Sequence, residues 1–461
     1  MTSTTDSPRA LFDRLSRIDP PVRTPVLFDT ACVLGGSIAG LLAARVLADH
    51  ASRVLIIERD AVDSEDNLRQ GVPQGRQAHV LLPGGLAQIE RWLPGFTREA
   101  QDRGGVLARP DQQAVYLGGR QQVPQRNTSL LTGTRPFLES RIRSRVLALP
   151  NVSALTAQAT GLEFDDGAVR AVRYVEEQQE KAIDVDFVVD AIGRSSKVSR
   201  WVEEAGFQRP KLQRLSTNIN YATALFERPP GAAELPVALS FWRLAGPSKP
   251  DALVLAVEGD QWLVLLYSYE PDRPPASIEG FRETCAKLPP IFGHAVSGPP
   301  TCEVQTYRQA DSRRRDFTGL ARFPARLVSV GDAVASFNPV HGQGISSAAL
   351  HASCLSDYLV ATPPLNRPAT SFFDLQVVVT DAAWALSTEA DTARHDALHG
   401  TELPEDVAHH RWAMDQVLQA TLVDQSISDV FTSVVHTLAH PSILADSALV
   451  ERAIAANKRA S

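Results

Sequence analysis

The chain has 461 residues, of which 44% are hydrophobic, enough to bury a large core in two or three domains or in one elaborated domain. Its formal net charge of −7 at pH 7 argues against a protein that binds nucleic acid. The cysteines Cys32, Cys285, Cys302 and Cys354 have no Cys-x-x-Cys spacing, which favours reduced intracellular thiols over a zinc site, another metal site or a disulfide framework.

The amino-terminal segment, residues 1–28, predicts a short helix or arm, because charged residues interrupt it and Pro20-Pro21 follows. It has no uninterrupted apolar stretch of the kind found in secretory signals. The apolar stretches 30–48 and 253–269 are interrupted by a glycine turn or by charged residues, so neither predicts a membrane span. We therefore expect a soluble, cytoplasmic protein with no membrane partner.

Residues 33–60 have the pattern of strand, glycine turn, helix, strand and terminal acid that is typical of a nucleotide-binding βαβ unit. Gly35 allows the sharp turn, and Gly40 lets the helix pack closely on the strand. Ser37 replaces the middle glycine of G-x-G-x-x-G, but it is small enough for a pyrophosphate to approach, and its hydroxyl could donate to phosphate. Glu58 is placed to accept from ribose hydroxyls. The unit alone does not distinguish NAD from FAD.

Further along the chain, local periodicity predicts helices and strands. They are a helix over 81–93, a helix over 136–149, a strand over 152–155, a hairpin around Asp165-Asp166-Gly167, a buried strand over 182–192, strands over 217–226, 237–242, 252–257 and 262–269, a buried strand over 326–330, a helix over 343–360, and helices beyond Pro364 with a break at Gly400 and Pro404. The basic run Arg313-Arg314-Arg315, flanked by acids, is interpreted as a solvated face.

The strand-rich block from about 210 to 325 predicts a mostly antiparallel sheet inserted between two halves of a nucleotide-binding domain. Its inner face is a natural wall for a substrate pocket. Alternation makes Trp242, Trp262, Tyr267 and Tyr269 candidates for lining that pocket, although about half of them are expected to be core residues.

A second motif lies in residues 327–346, where a strand delivers Asp332 and a loop with Pro339, Gly342 and Gly344 opens a helix. An acid at this position can bind sugar-like hydroxyls, and the helix amino terminus offers free N–H groups to an electron-rich ring. Together with the first motif, this resembles the FAD site of the aromatic-hydroxylase, or group A, class of flavoprotein monooxygenases.

Residues 68–79, Gly331-Asp332 and 381–384 more specifically resemble the polyether epoxidases of the lasalocid and monensin type. The resemblance extends from about residue 29 to the carboxy-terminal helices. It implies an α/β fold: a Rossmann-like FAD-binding domain of the glutathione-reductase type with an inserted, mostly antiparallel β-sheet substrate domain and a carboxy-terminal helical region. The corresponding segments are an arm (1–28), a first FAD-binding segment (29–205), the substrate sheet (206–325), a second FAD-binding segment (326–362) and the helical region (363–461).

The resemblance also implies roles for individual residues. The FAD pyrophosphate would be contacted by Gly35, Ser37 and Gly40, and the adenosine ribose by Glu58. Arg69 would lie near the pyrophosphate or the ribityl chain, Arg135 near the adenine-side phosphate region, and Asp332 would bind the ribityl chain. The isoalloxazine would be lined by Pro339, Gly342 and Gly344. Gly36, Arg59, Gly331 and Ile345 complete this predicted cofactor set. Ser346 stands where many relatives have asparagine. The segment Asp190–Ser196 resembles an Asp-Gly segment that serves both FAD and NADPH, but with two residues between the acid and the glycine.

The function that follows is a flavin monooxygenase, which transfers oxygen from a C4a-hydroperoxide of FAD to a bulky hydrophobic natural product, such as a polyketide, terpenoid or aromatic, by epoxidation or hydroxylation. The expected partners are that substrate, molecular oxygen and NADPH or NADH, with a separate flavin reductase as a further option. Pro339, His79 and His341 are the candidates near the chemistry, although a structural role is the expected one for each histidine.

Three alternatives remain compatible with the sequence. The first is a cyclase of a polyketide pathway that keeps FAD as a structural part of its pocket. A tryptophan-type halogenase is less favoured, because the chain has no Trp-x-Trp pair. A non-enzymatic flavoprotein would have no substrate-sized cavity beside the flavin.

Overall fold

The structure, a computed structural model, describes residues 7–61, 69, 73–229, 235–241 and 250–460. The predicted motif residues at 68 and 70–72, and the pocket candidate Trp242, lie outside the described residues.

The helices and strands are numbered in chain order within the described residues. The α-helices are α1 Pro8–Leu15, α2 Ile38–Leu47, α3 Pro83–Trp92, α4 Phe96–Asp102, α5 Arg135–Leu147, α6 Val198–Glu204, α7 Ile278–Cys285, α8 Pro290–Ala295, α9 Gln343–Val360, α10 Thr370–His399, α11 Glu405–Ala420, α12 Gln425–Val435 and α13 Ser447–Ala460. The strands are β1 Phe28–Leu34, β2 Ala51–Glu58, β3 Val106–Ala108, β4 Gln113–Leu117, β5 Arg120–Gln121, β6 Leu130–Thr132, β7 Val152–Thr156, β8 Gln158–Asp165, β9 Ala168–Glu176, β10 Gln179–Asp184, β11 Phe187–Asp190, β12 Lys211–Glu227, β13 Val237–Phe241, β14 Asp251–Val257, β15 Gln261–Tyr269, β16 Gln305–Asp316, β17 Leu327–Ser329 and β18 Ala335–Ser336.

A five-stranded parallel sheet, in the order β17-β11-β1-β2-β7, carries both sequence motifs. Its inner strands are largely apolar on both faces, as expected for a parallel sheet covered on each side, and Val33 lies opposite Ile56 and Val189. Strand β17 pairs with β11, so the strand that precedes Asp332 lies two places from β1. Because parallel strands end at a common edge, the glycine turn and the Asp332 loop face the same edge of the sheet.

A second sheet has eight strands, in the order β18-β16-β12-β15-β14-β13-β4-β5. Its five central strands, β12 to β16, lie between β11 and β17 in sequence, whereas β4 and β5 precede β11 and β18 follows β17. Helices α7 and α8 cover one of its faces, where Phe281 and Phe292 pack with Trp262. The predicted α/β fold with an inserted, mostly antiparallel sheet is confirmed. Among the four aromatic candidates, Trp262 is one of the expected core residues. It is 0% exposed on the helix-covered face, because odd and even positions of β15 point to opposite faces.

The prediction of one buried strand over 182–192 was wrong, because this segment contributes to two strands in different sheets. Strand β10 continues a three-stranded antiparallel sheet with β9 and β8, whereas β11 belongs to the parallel sheet. Between them, the carboxylate of Asp186 accepts hydrogen bonds from the backbone N–H groups of Asp29 and Thr30, each at 2.9 Å. These two bonds attach the link between β10 and β11 to the start of β1.

The carboxy-terminal region is helical, as predicted, and its break falls where the sequence places it. Helix α10 ends at Gly400, whose φ of +60° is the left-handed conformation that favours glycine, and α11 starts directly after Pro404. Within the described residues, no helix is both long and apolar enough to cross a membrane.

The run Arg313-Arg314-Arg315 is not the solvated face that the sequence suggests. It lies in β16, and its three side chains are only partly exposed. Arg313 bonds Asp311 at 2.9 Å, Arg314 pairs with Asp381 at 2.5 Å, and Arg315 donates to the Ala333 carbonyl at 2.7 Å. Arg314 and Arg315 therefore connect β16 to α10 and to the segment after β17, whereas Arg313 pairs within β16.

Candidate active site

The glycine turn after β1 is close-packed in the way the sequence predicts. A Cβ on Gly35, whose φ is +106°, would lie 2.4 Å from the carbonyl oxygen of Ala191, and one on Gly40 would lie 1.8 Å from the carbonyl oxygen of Gly35. The Gly36 N–H donates to the Glu58 carboxylate at 2.6 Å. Strand, turn and helix can approach this closely only with glycine at these positions.

Helix α2 begins at this turn without a side-chain cap. Its N-cap residue, Ser37, makes no capping hydrogen bond to the helix backbone. The Ser37 hydroxyl instead donates to Glu139 at 2.7 Å and accepts from Arg135 at 2.9 Å. The first-turn N–H groups of α2 therefore keep their capacity to bind an anion, whereas the predicted donation from Ser37 to phosphate competes with Glu139.

A buried ion cluster beside the turn was not predicted from the sequence. Glu139 accepts from Arg143 at 2.6 Å, from Arg135 at 3.2 Å, and from Arg69, whose guanidinium also pairs with Glu58 at 2.6 Å. Burial by itself would raise the pKa of Glu139, but the arginines and the Ser37 hydroxyl outweigh it and lower that pKa to about 2. The i, i+4, i+8 spacing of the two arginines and the glutamate on α5 is the signal that could have revealed it.

The predicted ribose acceptor Glu58 lies at the end of β2 and is already bonded within the chain. Its carboxylate accepts from the N–H groups of Gly36 and Asp60 and from Arg69. The next residue, Arg59, is exposed. Arg69 also donates to the Gly36 carbonyl at 3.2 Å, so its guanidinium is fixed against the glycine turn.

Asp332 lies at the carboxyl end of β17, beside the turn that precedes α2. Gly331 has a φ of +59°, and a Cβ there would lie 2.5 Å from the side chain of Ala39 in α2. Burial raises the pKa of Asp332, while Arg135 and Arg194 oppose that shift. No residue that the structure describes donates a hydrogen bond to its carboxylate, which is therefore available to hydroxyl groups of a ligand.

Asp190, by contrast, is committed to the protein. Its carboxylate accepts from Ser196 at 2.7 Å, from Ser329 at 3.3 Å and from the Ile192 N–H at 3.2 Å. Gly193 has a φ of +88° and lies against the Asp332 side chain. This segment thus shapes the loop beside Asp332 rather than offering a free carboxylate to a nucleotide.

The second glycine loop leads into α9, which has no side-chain cap. Gly342 is the N-cap residue with a φ of +66°, and nothing lies within 4 Å of a Cβ placed on Gly344, so the space beside the first turn is open. Pro339 is exposed at the start of this loop, whereas Ile345 is buried in the core. Ser346 is also buried and packs against Gly85 of α3.

The two candidate histidines lie in different surroundings. Burial, reinforced by the charge of Arg135, lowers the pKa of His79 to about 3, and its Nδ1 lies 2.8 Å from the Gln77 carbonyl oxygen. Burial lowers the pKa of His341 to about 4, and its Nε2 has no hydrogen-bond partner among the described residues. Both imidazoles are therefore neutral at pH 7, and His341, not His79, lines the large cavity beside its loop.

This cavity, of about 460 Å³, lies between the large sheet and the carboxy-terminal helices. Strands β4, β13, β14 and β15 form one wall, and helices α10, α11 and α12 form the opposite wall. The loop from Val340 to Gln343 reaches it directly. Tyr267 and Tyr269 line it, as predicted, with apolar side chains such as Phe241, Met414 and Phe431. The contribution of the helices was not predicted.

A buried polar network joins this loop to α10. Asn338 donates from Nδ2 to Asp391 at 2.8 Å and to the Tyr269 hydroxyl at 3.1 Å, and its Oδ1 accepts from Tyr221 at 3.2 Å. The Tyr269 hydroxyl donates to Asp391 at 3.1 Å. Burial raises the pKa of Asp391 to about 6, although these bonds and Arg394 oppose it. None of these residues except Tyr269 was singled out in the sequence.

These features fit FAD. The amino terminus of α2, which has no side-chain cap and is approached closely by glycines, suits a pyrophosphate. The carboxylate of Asp332, which accepts from no described residue, suits the ribityl hydroxyls. The open space at Gly344 suits a flat ring. Because both motifs lie at one edge of the parallel sheet, a single ligand can contact both of them.

Comparisons with known proteins agree with this fit. The model of the family described as "FAD binding domain" matches residues 29–363. Protein Rv3254 of Mycobacterium tuberculosis (strain ATCC 25618 / H37Rv) is 29% identical over 459 residues, covering 94% of each chain.

Among solved structures, the flavin-dependent brominase Bmp2 is similar with a TM-score of 0.62 and 14% identity, covering 94% of this chain and 100% of that one. The p-nitrophenol 4-monooxygenase PnpA from Pseudomonas putida DLL-E4 is similar with a TM-score of 0.58 and 17% identity, covering 92% and 98%. At these identities the likeness shows the fold alone. The family match covers well over half of the chain, so the chain belongs to the FAD-binding domain family, and its cofactor is FAD.

Proposed function

We propose that the enzyme epoxidises or hydroxylates a bulky, largely hydrophobic molecule bound in the 460 Å³ cavity. The observation that carries this proposal is that the loop Val340–Gln343 lines the cavity, and that the same loop opens α9 beside the free space at Gly344. A substrate in the cavity would thus meet the cofactor's ring at this loop. The finer resemblance to polyether epoxidases supports an alkene as the reacting group.

In this proposal the cofactor is held along the sheet edge by the residues that the sequence singled out. The α2 amino terminus, with Gly35, Ser37 and Gly40, holds the pyrophosphate, and Glu58 holds the ribose. Asp332 accepts from the ribityl hydroxyls. Arg69 and Arg135 add positive charge near the phosphates, partly neutralised by Glu139. Reduced FAD supplies the oxygen-activating chemistry, for which enzymes of this class use NAD(P)H.

The protein's own part is positioning and exclusion of water. The Asn338 network fixes the loop to α10, and the Gln343 side chain donates to the Val435 carbonyl of α12 at 3.1 Å. Helices and loop are thereby held together over the apolar cavity. His341, neutral at pH 7 and with an Nε2 that no described residue bonds, is the group placed to exchange a proton with the substrate.

The test is oxygen incorporation under ¹⁸O₂ by the FAD-loaded enzyme with NADPH, NADH or a flavin reductase. The panel should contain polyprenyl alkenes and fused-ring phenols. We expect substrate-stimulated oxygen uptake and one labelled oxygen atom in the product. Asp332→Ala should purify without flavin colour and lack this activity, whereas Glu58→Gln, which keeps one acceptor oxygen, should lose less FAD.

Products formed at the same rate without oxygen and reductant would instead establish the non-redox cyclase alternative. Oxygen uptake that no member of the panel stimulates would count against oxygenation. Full retention of FAD by Asp332→Ala would overturn the ribityl assignment alone.

A further inference from the structure

Among the residues that the structure describes, the apolar cavity presents one cation whose charge is not used in an ion pair. Four charged side chains line it. Arg411 pairs with Asp396 at 2.7 Å, Glu389 contacts the imidazole of His410 at 3.0 Å, and Asp251 hydrogen-bonds Tyr267. The remaining one is Arg394.

Arg394 forms no ion pair with any residue in the described ranges. Its guanidinium lies over the ring of Tyr269, with Cζ 4.3 Å from the ring centroid. The carboxylate of Asp391 lies one turn earlier on α10, and the charge of Arg394 opposes the rise of its pKa. The two groups form no ion pair, and Oδ2 of Asp391 is buried without a hydrogen-bond partner among the described residues. Arg394 nevertheless stacks on the aromatic ring at the cavity wall, in the arrangement that leaves its donors able to meet a ligand.

The histidines that line the cavity add no positive charge to that of Arg394. Burial lowers the pKa values of His341 and His436 to about 4, so both are neutral at pH 7. A guanidinium beside apolar side chains is stabilised most by a planar anion that accepts two parallel hydrogen bonds. The ligand group that suits the guanidinium of Arg394 is therefore a carboxylate or a similar oxyanion.

We propose that the substrate is an amphipathic acid whose anionic group pairs with the guanidinium of Arg394. This rests on the proposed function only in taking the cavity as the substrate site. Tyr269, under Arg394, bonds Asn338, which immediately precedes the loop Pro339–His341. The acid is thus anchored at the end of the cavity next to this loop, and the apolar body occupies the rest.

The test compares 2-naphthoate with 2-naphthamide, which have nearly the same shape and differ in charge at pH 7.5. Isothermal titration calorimetry with the FAD-loaded protein gives both dissociation constants. We expect the acid to bind about 10- to 100-fold more tightly, as charge-assisted hydrogen bonds predict. Arg394→Gln should remove this preference by weakening only the acid, and Arg394→Lys should restore part of it.

Arg411→Gln is the matched control, because Arg411 lines the same cavity but is already paired with Asp396. It should keep the preference for the acid. In Arg394→Gln and Arg394→Lys, as in Arg411→Gln, an unchanged dissociation constant for the amide shows that the variant retains the cavity.

Three outcomes would each overturn the proposal. The wild type could bind acid and amide equally, the preference for the acid could survive Arg394→Gln, or it could disappear in Arg411→Gln instead. Binding needs no turnover, so these outcomes are separate from a failure to incorporate ¹⁸O. Failure of both probes to bind would remove the cavity as the substrate site, and with it both proposals.

Discussion

The Glu139 cluster allows a stability prediction whose size follows from its contacts. Glu139 is 3% exposed, and its carboxylate accepts from Arg69, Arg135 and Arg143 as well as from Ser37. Glu139→Gln keeps the shape but removes the negative charge. It also turns an amide N–H₂ group toward an arginine, so buried guanidinium groups lose their counter-ion.

The pKa gives the magnitude. The pKa of Glu139 falls from 4.5 to about 2 in the folded protein. A shift of this size corresponds to about 3 kcal/mol of folding stability. Because the folded pKa is lowered, this contribution is present above pH 4.5 and is lost as the pH falls from 4.5 through 2. We therefore expect Glu139→Gln to lower the free energy of unfolding by about 3 kcal/mol at pH 7, with a difference that shrinks below pH 4.5.

The assay is urea unfolding followed by far-UV circular dichroism at pH 7 and at several lower pH values. Measurements at two FAD concentrations separate a change in cofactor affinity from a change in intrinsic stability. The control is Glu163→Gln, which breaks a partly exposed pair with Arg170 and should cost less than about 1 kcal/mol. Equal, small losses in the two variants at pH 7 would refute the argument.

Two further predictions concern the loop and its network. The raised pKa of about 6 makes ionisation of Asp391 unfavourable in the folded wild type, which therefore loses stability as the pH rises from 4 to 8. Asp391→Asn has no carboxyl group to ionise, so its free energy of unfolding should rise relative to that of the wild type by up to about 3 kcal/mol over this range. Thermal melts at both pH values check this, and a pH-independent difference would contradict it. Gly344→Val should fold but lose FAD, because the valine side chain would fill the open space beside α9 that we assign to the flavin ring. Gly40→Ala, in contrast, should disturb the fold itself, because its Cβ would lie 1.8 Å from a backbone oxygen. Flavin absorbance and circular dichroism separate these effects, and FAD-saturated Gly344→Val would exclude the ring from that space.

Features encoded by short segments of the chain could be predicted from the sequence. The turn at Gly35 and Gly40 and the strand before Asp332 depend on residue types that only a few local conformations accommodate. The break at Gly400 is of the same kind. The single strand predicted over 182–192 failed, because the chain passes there from one sheet to another between β10 and β11. Alternation alone also does not reveal which face of a strand is covered, and that face decides the burial of Trp262.

Contacts between distant segments could not be predicted from one sequence. The hydroxyl of Ser37 meets Glu139 across 102 positions, and Asn338 meets Asp391 across 53. Arg394 looks in sequence like any polar residue of a long helix. Its position over Tyr269 depends on how α10 packs against β15, which periodicity does not reveal.

Helices α10 to α12, which form one wall of the cavity, all begin after residue 363, where the family match ends. The stretch of the chain that matches the family and the helices that form one wall of the cavity are thus encoded separately. Substitutions in the last hundred or so residues can change what fits the cavity while leaving the glycine turns and Asp332 untouched. Members that share the first stretch but differ in these helices would be expected to accept different molecules with the same flavin chemistry.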